Sequence, residues 1–455
     1  MRGLHRIYCL GFALQSWVRS RLTPAGWTVI ACLCVLPFMR LQSEFSVGYQ
    51  MFLFLLSALC TSALWAASFK GRFLADRSLP RFASVGQAFH YTVELRNLSP
   101  KTQPGLWVRE SHKRVPMSLA AFTASALHQR RHRSFRFEKT SPSPLLLPLA
   151  PQPLQPLSQN LPASVTLQLT PTRRGSLHFD GIEFLRPDPL GLVQGRIVVK
   201  SEHTLLVLPR RYPIPPLPLP GSARYQAGGV AQSSSIGESE EFVSLRDYRR
   251  GDSPRHIHWK SWAKTGKLIV RENEDEFFLR HALILDTFPS PPALDRFEEA
   301  VSIAASFACS IDTQESLLDL MFVGNKAFCF TMGRGLGYPQ QALEILAGIT
   351  PAYECDPPQS IQSLIAAVNQ QSQSLSGCIV VLVEWDPPRQ TWLESLATRG
   401  IPLLVIVITE SDAPRPKPGS VLLSLDVPFL TLRAGSIAEG LASLTSRQTR
   451  AHTPN

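Results

Sequence analysis

Three observations predict a mixed architecture for this 455-residue chain: an N-terminal transmembrane helical hairpin, an immunoglobulin-like β-sandwich, and a doubly wound α/β domain. First, Val47 to Phe69 runs for about 23 residues without a charge, enough to cross ~30 Å of hydrocarbon. Second, the stretch from Arg81 to about Pro213 alternates apolar and polar residues between turn signals, as half-buried strands do. Third, from His281 onward short apolar strands alternate with segments of helical spacing, the pattern of a mainly parallel sheet.

Residues 1–24 read as a basic cytoplasmic N-terminus and 25–70 as the hairpin. The first apolar run, Ala25 to Met39, is shorter than the second, and flanking Trp27 and the reach of Arg40 extend it to a span. Arg2, Arg6, Arg19 and Arg21 precede the first run, and Lys70, Arg72, Arg77 and Arg81 follow the second. Between them stand only Arg40 and Glu44, so the positive-inside rule puts both ends in the cytoplasm. Part of the formal charge of +11 is thereby explained as topology and contact with anionic lipid, not nucleic-acid binding. The eight cysteines show no CxxC pair and read as small buried hydrophobes in a reducing compartment.

The sandwich is expected over 81–211. Phe89, Tyr91, Val93 and Leu95 form one alternating strand, Val165, Leu167 and Leu169 another, and Leu205 to Leu208 a third. Ser141 to Pro162, rich in Pro, Leu and Gln, reads as an extended insertion. Asp188-Pro189-Leu190-Gly191-Leu192 reads as a tight corner, with Pro189 fixing φ and Gly191 free to take a positive one. Residues 212–236, opening on Tyr212 to Pro220, read as a Pro/Gly/Ser-rich linker.

Residues 237–276 pack acids, arginines, two histidines and two tryptophans into one segment. Recurrent Phe242, Leu245, Tyr248, Ile257, Trp259, Trp262, Leu268 and Val270 argue that it folds. Asp252 is expected to pair with Arg255, and Glu241 with Arg246, in partly buried ion pairs that fix a loop. His256 and His258 are spaced as two metal ligands on one strand face, but a third would have to come from Asp252 or elsewhere. The plainer reading makes them exposed polar groups flanking buried Ile257 and Trp259, with Trp259 and Trp262 in the core or packed on a sheet. The chain holds no GxSxG, Walker A or HExxH sequence, and Gly333 to Gly337 lacks the offsets of a phosphate loop. The α/β domain is expected over 280–446, with a tail at 447–455; in such a sheet function sits at the carboxyl ends of the strands.

The charged segment resembles the signature of the bacterial domain of unknown function 58 family. The matching residues are Glu241-Phe242, Leu245-Arg246-x-Tyr248, Gly251-Asp252, Arg255-x-Ile257-x-Trp259, Ala263 and Lys267 to Arg271, with the Asp188 to Leu192 corner upstream. The α/β domain, with Asp286 ending its first strand, is similar to a von Willebrand factor A domain. Such domains often hold a divalent ion through D-x-S-x-S. Here Asp286 and Ser290 match while Phe288 replaces the first serine, so Mg binding is expected to be lost and the strand-terminal Asp to cap a loop. The resemblance implies a bacterial plasma-membrane protein with a cytoplasmic partner, typically a MoxR-type AAA+ ATPase. The expected function is a non-enzymatic membrane-anchored adaptor without cofactor, with membrane lipid as second partner through two N-terminal helices. Its expected contact or structural residues are Glu241, Arg246, Tyr248, Asp252, Arg255, His258 and Trp259. The alternative is a membrane-tethered hydrolase using Asp252, His256 and His258.

Overall fold

The computed structural model describes residues 2–36, 47–111, 150–214, 242–250, 254, 257–273, 279–290, 294–311, 316–324, 326–333, 337–351, 361–410 and 415–442. The chain divides into two compact units, Met1–Leu208 and Pro209–Asn455.

The first unit begins with three helices: α1 (Arg2–Arg21), α2 (Pro24–Val35) and α3 (Val47–Ala67). Residues expected to be a mere basic flank are therefore helical up to Arg21. Thr23 caps α2 by accepting the Gly26 N–H at 3.1 Å, and Pro24 fills the first helical position, where no N–H is needed. At 1.5 Å per residue α3 spans about 31 Å, whereas the 12 residues of α2 reach only about 18 Å. Among the described residues α3 alone is long and apolar enough to cross a bilayer. Of the expected hairpin, the described residues hold one candidate crossing beside a shorter apolar helix; residues 37–46, with the end of the first run, lie outside the described set.

Among the described residues eight strands follow: β1 (Phe73–Ser78), β2 (Phe82–Ser84), β3 (Phe89–Asn97), β4 (Trp107–Ser111), β5 (Gln152–Pro153), β6 (Pro162–Leu169), β7 (Gly175–Pro187) and β8 (Gln194–Leu208). They form two sheets, β1-β3-β6 and β2-β8-β7-β4-β5. Val93, Leu95, Leu167 and Leu169 of the first sheet share one buried cluster with Val108, Ile182, Phe184 and Val207 of the second, which makes the pair a sandwich. Phe73 stacks on Phe184 across it, ring centroids 4.3 Å apart. Part of the expected insertion is sheet, since β5 pairs with β4 and Leu157 is buried; residues 112–149 lie outside the described set.

A polar bridge crosses the same interior. The Arg77 guanidinium on β1 donates to both Glu110 oxygens on β4, at 3.0 and 2.8 Å, and to the Ser201 carbonyl on β8. Tyr91 on β3 donates its hydroxyl to Glu110 at 2.5 Å. Burial, helped by the Glu110 carboxylate, pushes the Tyr91 phenol well above its ordinary range and keeps it protonated. The Arg77 and Glu110 side chains are 0% and 1% exposed, so each depends on the other for its charge.

The second unit contains a two-stranded ribbon, β9 (Phe242–Asp247) with β10 (Ile269–Asn273), and a short helix α4 (Trp259–Thr265) between them in sequence. Then come β11 (Leu279–Leu285), α5 (Leu294–Ser310), β12 (Ser316–Val323), β13 (Ala327–Met332), α6 (Pro339–Gly348), α7 (Ile361–Gln371), β14 (Gly377–Leu382), α8 (Pro387–Thr398), β15 (Leu403–Thr409), α9 (Val421–Ser424) and β16 (Phe429–Arg433). Six strands form one sheet in the order β13-β12-β11-β14-β15-β16, all neighbours parallel except β13, which runs antiparallel at one edge. Every residue of β12 and β14 is buried, as strands covered on both faces must be. Leu364 and Val368 of α7 and Trp392, Leu393 and Leu396 of α8 cover Ala282, Ile284, Val380 and Val405 on one face. Buried Phe297, Val301 and Ala304 line α5, which packs against β11, β14, β15 and α6. Tyr212, expected to open the linker, is instead buried, its N–H donating to Ser306 at 2.7 Å and its hydroxyl to Glu299 at 2.6 Å.

The cross-sheet bridge gives one expectation. Arg77→Met leaves Glu110 buried without its counter-charge and should cost about 3–5 kcal/mol in denaturant unfolding. Arg96→Met, which breaks an exposed pair with Glu94, should shift stability by less than ~0.5 kcal/mol. Equal effects would contradict the assignment. His281 gives a second. It is buried on β11, its Nδ1 has no hydrogen-bond partner, and burial holds its pKa below the ordinary value. A depressed pKa means stability that is full above about pH 6.5 and is lost as pH falls, because the unfolded chain takes up the proton first. Melting temperature should therefore drop more steeply between about pH 7 and 5 in the native protein than in His281→Leu. Parallel curves would exclude this role.

Candidate functional site

Strand order in the large sheet reverses between β11 and β14, and in open α/β sheets the crevice beyond the carboxyl ends at that point is where ligands bind. The chain places a charged cluster there. Asp286 follows β11 directly, its N–H donating to the Val381 carbonyl of β14 at 2.9 Å, and its side chain is fully buried. One carboxylate oxygen accepts the Phe288 N–H at 3.0 Å, and the other accepts the Val383 N–H at 3.3 Å and Arg389 Nε at 2.9 Å. Arg389 also donates to the Phe288 carbonyl at 2.9 Å and to Asp386.

Local sequence explains how the arginine gets there. Asp386 caps α8 by accepting the Arg389 N–H at 2.9 Å, and Pro387 occupies the first helical position. Arg389 thus sits in the first turn, where its side chain can fold back over the end of the sheet. Burial pushes the Asp286 carboxyl up from the ordinary range, and the guanidinium with the two backbone donors works against that. Phe288, the residue that replaces a serine, is itself buried and joins the core on the α7–α8 face.

The rim is acidic. Ser290 donates its N–H and hydroxyl to the two oxygens of Glu384, at 2.7 and 2.8 Å. Arg296 donates to the Val383 carbonyl at 3.2 Å, and its guanidinium lies 3.6 Å from Glu384 and 3.2 Å from Glu410, whose side chain is 61% exposed. Among the described residues no group of three or more His, Cys, Asp and Glu is arranged to hold a metal ion. Asp286 and Ser290, paired as candidate ligands by sequence, are directed to different partners: an internal guanidinium neutralises the first, and Glu384 holds the second. Arg389, Arg296 and Glu410 were not singled out by sequence. The D-P-P-R run at Asp386 marks a helix start, and it is the only local signal for Arg389.

The charged signature builds the ribbon and α4. Arg246 pairs across the ribbon with Val270, and its guanidinium lies 3.3 Å from the Asp247 carbonyl. Tyr248 donates its N–H to Leu268 at 3.0 Å. His258 caps α4: its Nδ1 accepts the Ser261 N–H at 3.3 Å and lies 2.6 Å from the Ser261 hydroxyl. Both bonds come from one residue three positions on, the geometry of a helix cap. Trp259 and Trp262, expected in the core or packed on a sheet, are 57% and 43% exposed and meet edge to face at 5.8 Å. A two-turn helix beside a two-stranded ribbon has too little partner surface to bury both indoles. Glu241, Asp252, Arg255 and His256 lie outside the described residues, and with them the expected Asp252–Arg255 and Glu241–Arg246 pairs.

Arg389→Leu should destabilise the protein by about 3–5 kcal/mol in denaturant unfolding, because Asp286 stays buried with no counter-charge. Arg433→Leu, at the exposed end of β16, should change stability by less than ~0.5 kcal/mol. A near-neutral Arg389→Leu would mean that the pair does not hold the crevice together.

Three comparisons bear on this chain. The uncharacterized protein YeaD of Bacillus subtilis (strain 168) is 28% identical over 188 residues, 40% of this chain and 45% of YeaD. The match therefore spans less than half of that relative. A solution structure of a CARDB domain from Pyrococcus furiosus covers 30% of this chain and 93% of its own at 12% identity, with a TM-score of 0.17, a likeness too slight to bear on the fold. Residues 244–426, which run from the ribbon through the crevice to α9, match the family described as Protein of unknown function DUF58.

Proposed function

We propose that the protein is a non-enzymatic, membrane-anchored adaptor whose α/β unit is of von Willebrand factor A type and binds a MoxR-type AAA+ ATPase on the cytoplasmic side. Support for the domain type comes from the strand order with its antiparallel edge strand and from the acidic residue that ends β11. The apolar, exposed surface of α3 and the basic residues Lys70, Arg72 and Arg81 behind it support anchoring with the bulk of the chain in the cytoplasm. His258 acting as a helix cap favours the adaptor over the hydrolase reading.

One observation carries the proposal: the Arg389 guanidinium rests on Asp286 at the switch point. A fixed internal cation neutralises the crevice without offering the open coordination positions through which a bound metal takes up a partner's carboxylate. Recognition then falls to the rim, where Glu384, Asp386 and Glu410 favour a basic element on the partner.

The full-length protein in phosphatidylcholine nanodiscs should capture the MoxR-type ATPase of its own organism equally well with magnesium and with chelator, the ATPase being checked separately for intact assembly in chelator. Capture that disappears in chelator would overturn the metal-free reading. Failure to capture under either condition would overturn the partner.

A further inference from the structure

We propose that α1 is an interfacial helix that lies along the surface of an anionic lipid leaflet and is held at that level by the corner between β7 and β8. The first acidic residue in the sequence is Glu44, so α1 carries Arg2, Arg6, Arg19 and Arg21 with no compensating carboxylate. Leu10 and Trp17, two turns apart on the helix, are 70% and 55% exposed, and the Arg21 guanidinium lies 4.9 Å over the Trp17 ring. Exposed apolar side chains on a uniformly basic helix suit the headgroup–acyl boundary, where the chains sink a few ångströms and the arginines meet lipid phosphate.

The elbow after α1 fixes where that helix lies. Leu22 bridges Val193, the Thr23 N–H donates to the Leu192 carbonyl at 3.2 Å, and the Thr23 hydroxyl donates to the Gly191 carbonyl at 2.5 Å. Gln194 donates to the Ser20 carbonyl at 2.9 Å. At Gly26 a Cβ would collide with the Leu192 carbonyl oxygen, so only glycine allows this approach. The corner itself is shaped by Asp188, which accepts the Leu190 and Val193 N–H groups at 3.1 and 2.8 Å, and by Gly191 at φ +68°. The far end of α3 reaches the same corner: Ala66 clusters with Leu192 and Val193, and Arg186 lies 5.8 Å over Trp65. Trp27 at the start of α2 and Trp65 at the end of α3 are each 46% exposed, as indoles at a membrane–water boundary are. The end of α1, the start of α2 and the exit of α3 therefore share one level. A helix leaving that level with leucine and tryptophan uncovered runs along the lipid surface, not away from it.

The inference rests on α3 being the anchor, so the experiment reads the two helices separately. Nitroxide labels are placed through Leu10→Cys, Gln15→Cys and Phe54→Cys in a full-length protein whose native cysteines are replaced by serine or alanine. Collision with oxygen and with a water-soluble nickel chelate is measured in nanodiscs of phosphatidylcholine with and without phosphatidylglycerol. At position 54 oxygen should dominate, which places α3 in lipid. At position 10 nickel collisions should be several-fold rarer than at position 15 in anionic discs, and should rise toward the position-15 value without phosphatidylglycerol. If position 54 is in lipid while 10 and 15 are equally open to nickel, α1 is in water and the proposal fails alone. Sealing of position 10 from both reagents would show that protein covers it, and indifference to phosphatidylglycerol would overturn the anionic surface. Water access at position 54 would overturn the anchor reading as well.

Discussion

The buried pair of Asp286 and Arg389 is the constraint on which the α/β unit turns. It joins the end of the first strand of the large sheet to the first turn of α8, across the point where strand order reverses. Both charges are withdrawn from water, and a lone buried carboxylate or guanidinium is far more costly than the pair. The positions of Phe288, Val383 and Asp386 follow from satisfying the remaining donors and acceptors of those two groups. Packing then builds outward, with Phe288 entering the core and Glu384 left at the rim to take Ser290 and Arg296.

The sandwich solves a comparable problem differently. Arg77 and Glu110 are drawn from opposite sheets and are locked with Tyr91 and Ser201, so they set which strands face each other. Apolar packing alone would tolerate sliding of one sheet over the other more readily than this network does. A partly satisfied buried network would be worse than none, which is why the Tyr91 hydroxyl and the Ser201 carbonyl converge on the two charges. The two units therefore use the same device, a buried ion pair finished by hydrogen bonds, to fix geometry that hydrophobic contact leaves loose.

Much of the fold was legible in sequence wherever one side of an element faces water or an element is uniformly apolar. The alternation in Phe89 to Leu95 and the apolar runs of β12, β14 and β15 are direct imprints of burial. The candidate site was legible only on one side. Asp286 is visible as a strand-terminal acid, but its partner lies 103 residues later in the chain, and nothing local distinguishes Arg389 from any other arginine in a first helical turn. Trp259 and Trp262 misled for the opposite reason: indoles are usually buried, and the sequence does not reveal how little surface surrounds α4. Helix α1 was hidden by its charges, which read as a topological flank while Leu10, Trp17 and Val18 kept helical spacing beneath them.

The span of the Arg77 network has a consequence for how the chain is made. Its members come from β1, β3, β4 and β8, so its parts are complete only once the chain has been synthesised through Ser201. By then α1, α2 and α3 have long since been made, and with them the exposed apolar surface of α3. Synthesis is vectorial, so the three helices are made before the sandwich can close. The corner at Asp188 to Val193 is among the last pieces to appear, and it must find an elbow already settled in its surroundings. Assembly of the first unit thus ends by docking a newly closed sandwich onto a helical platform made before it.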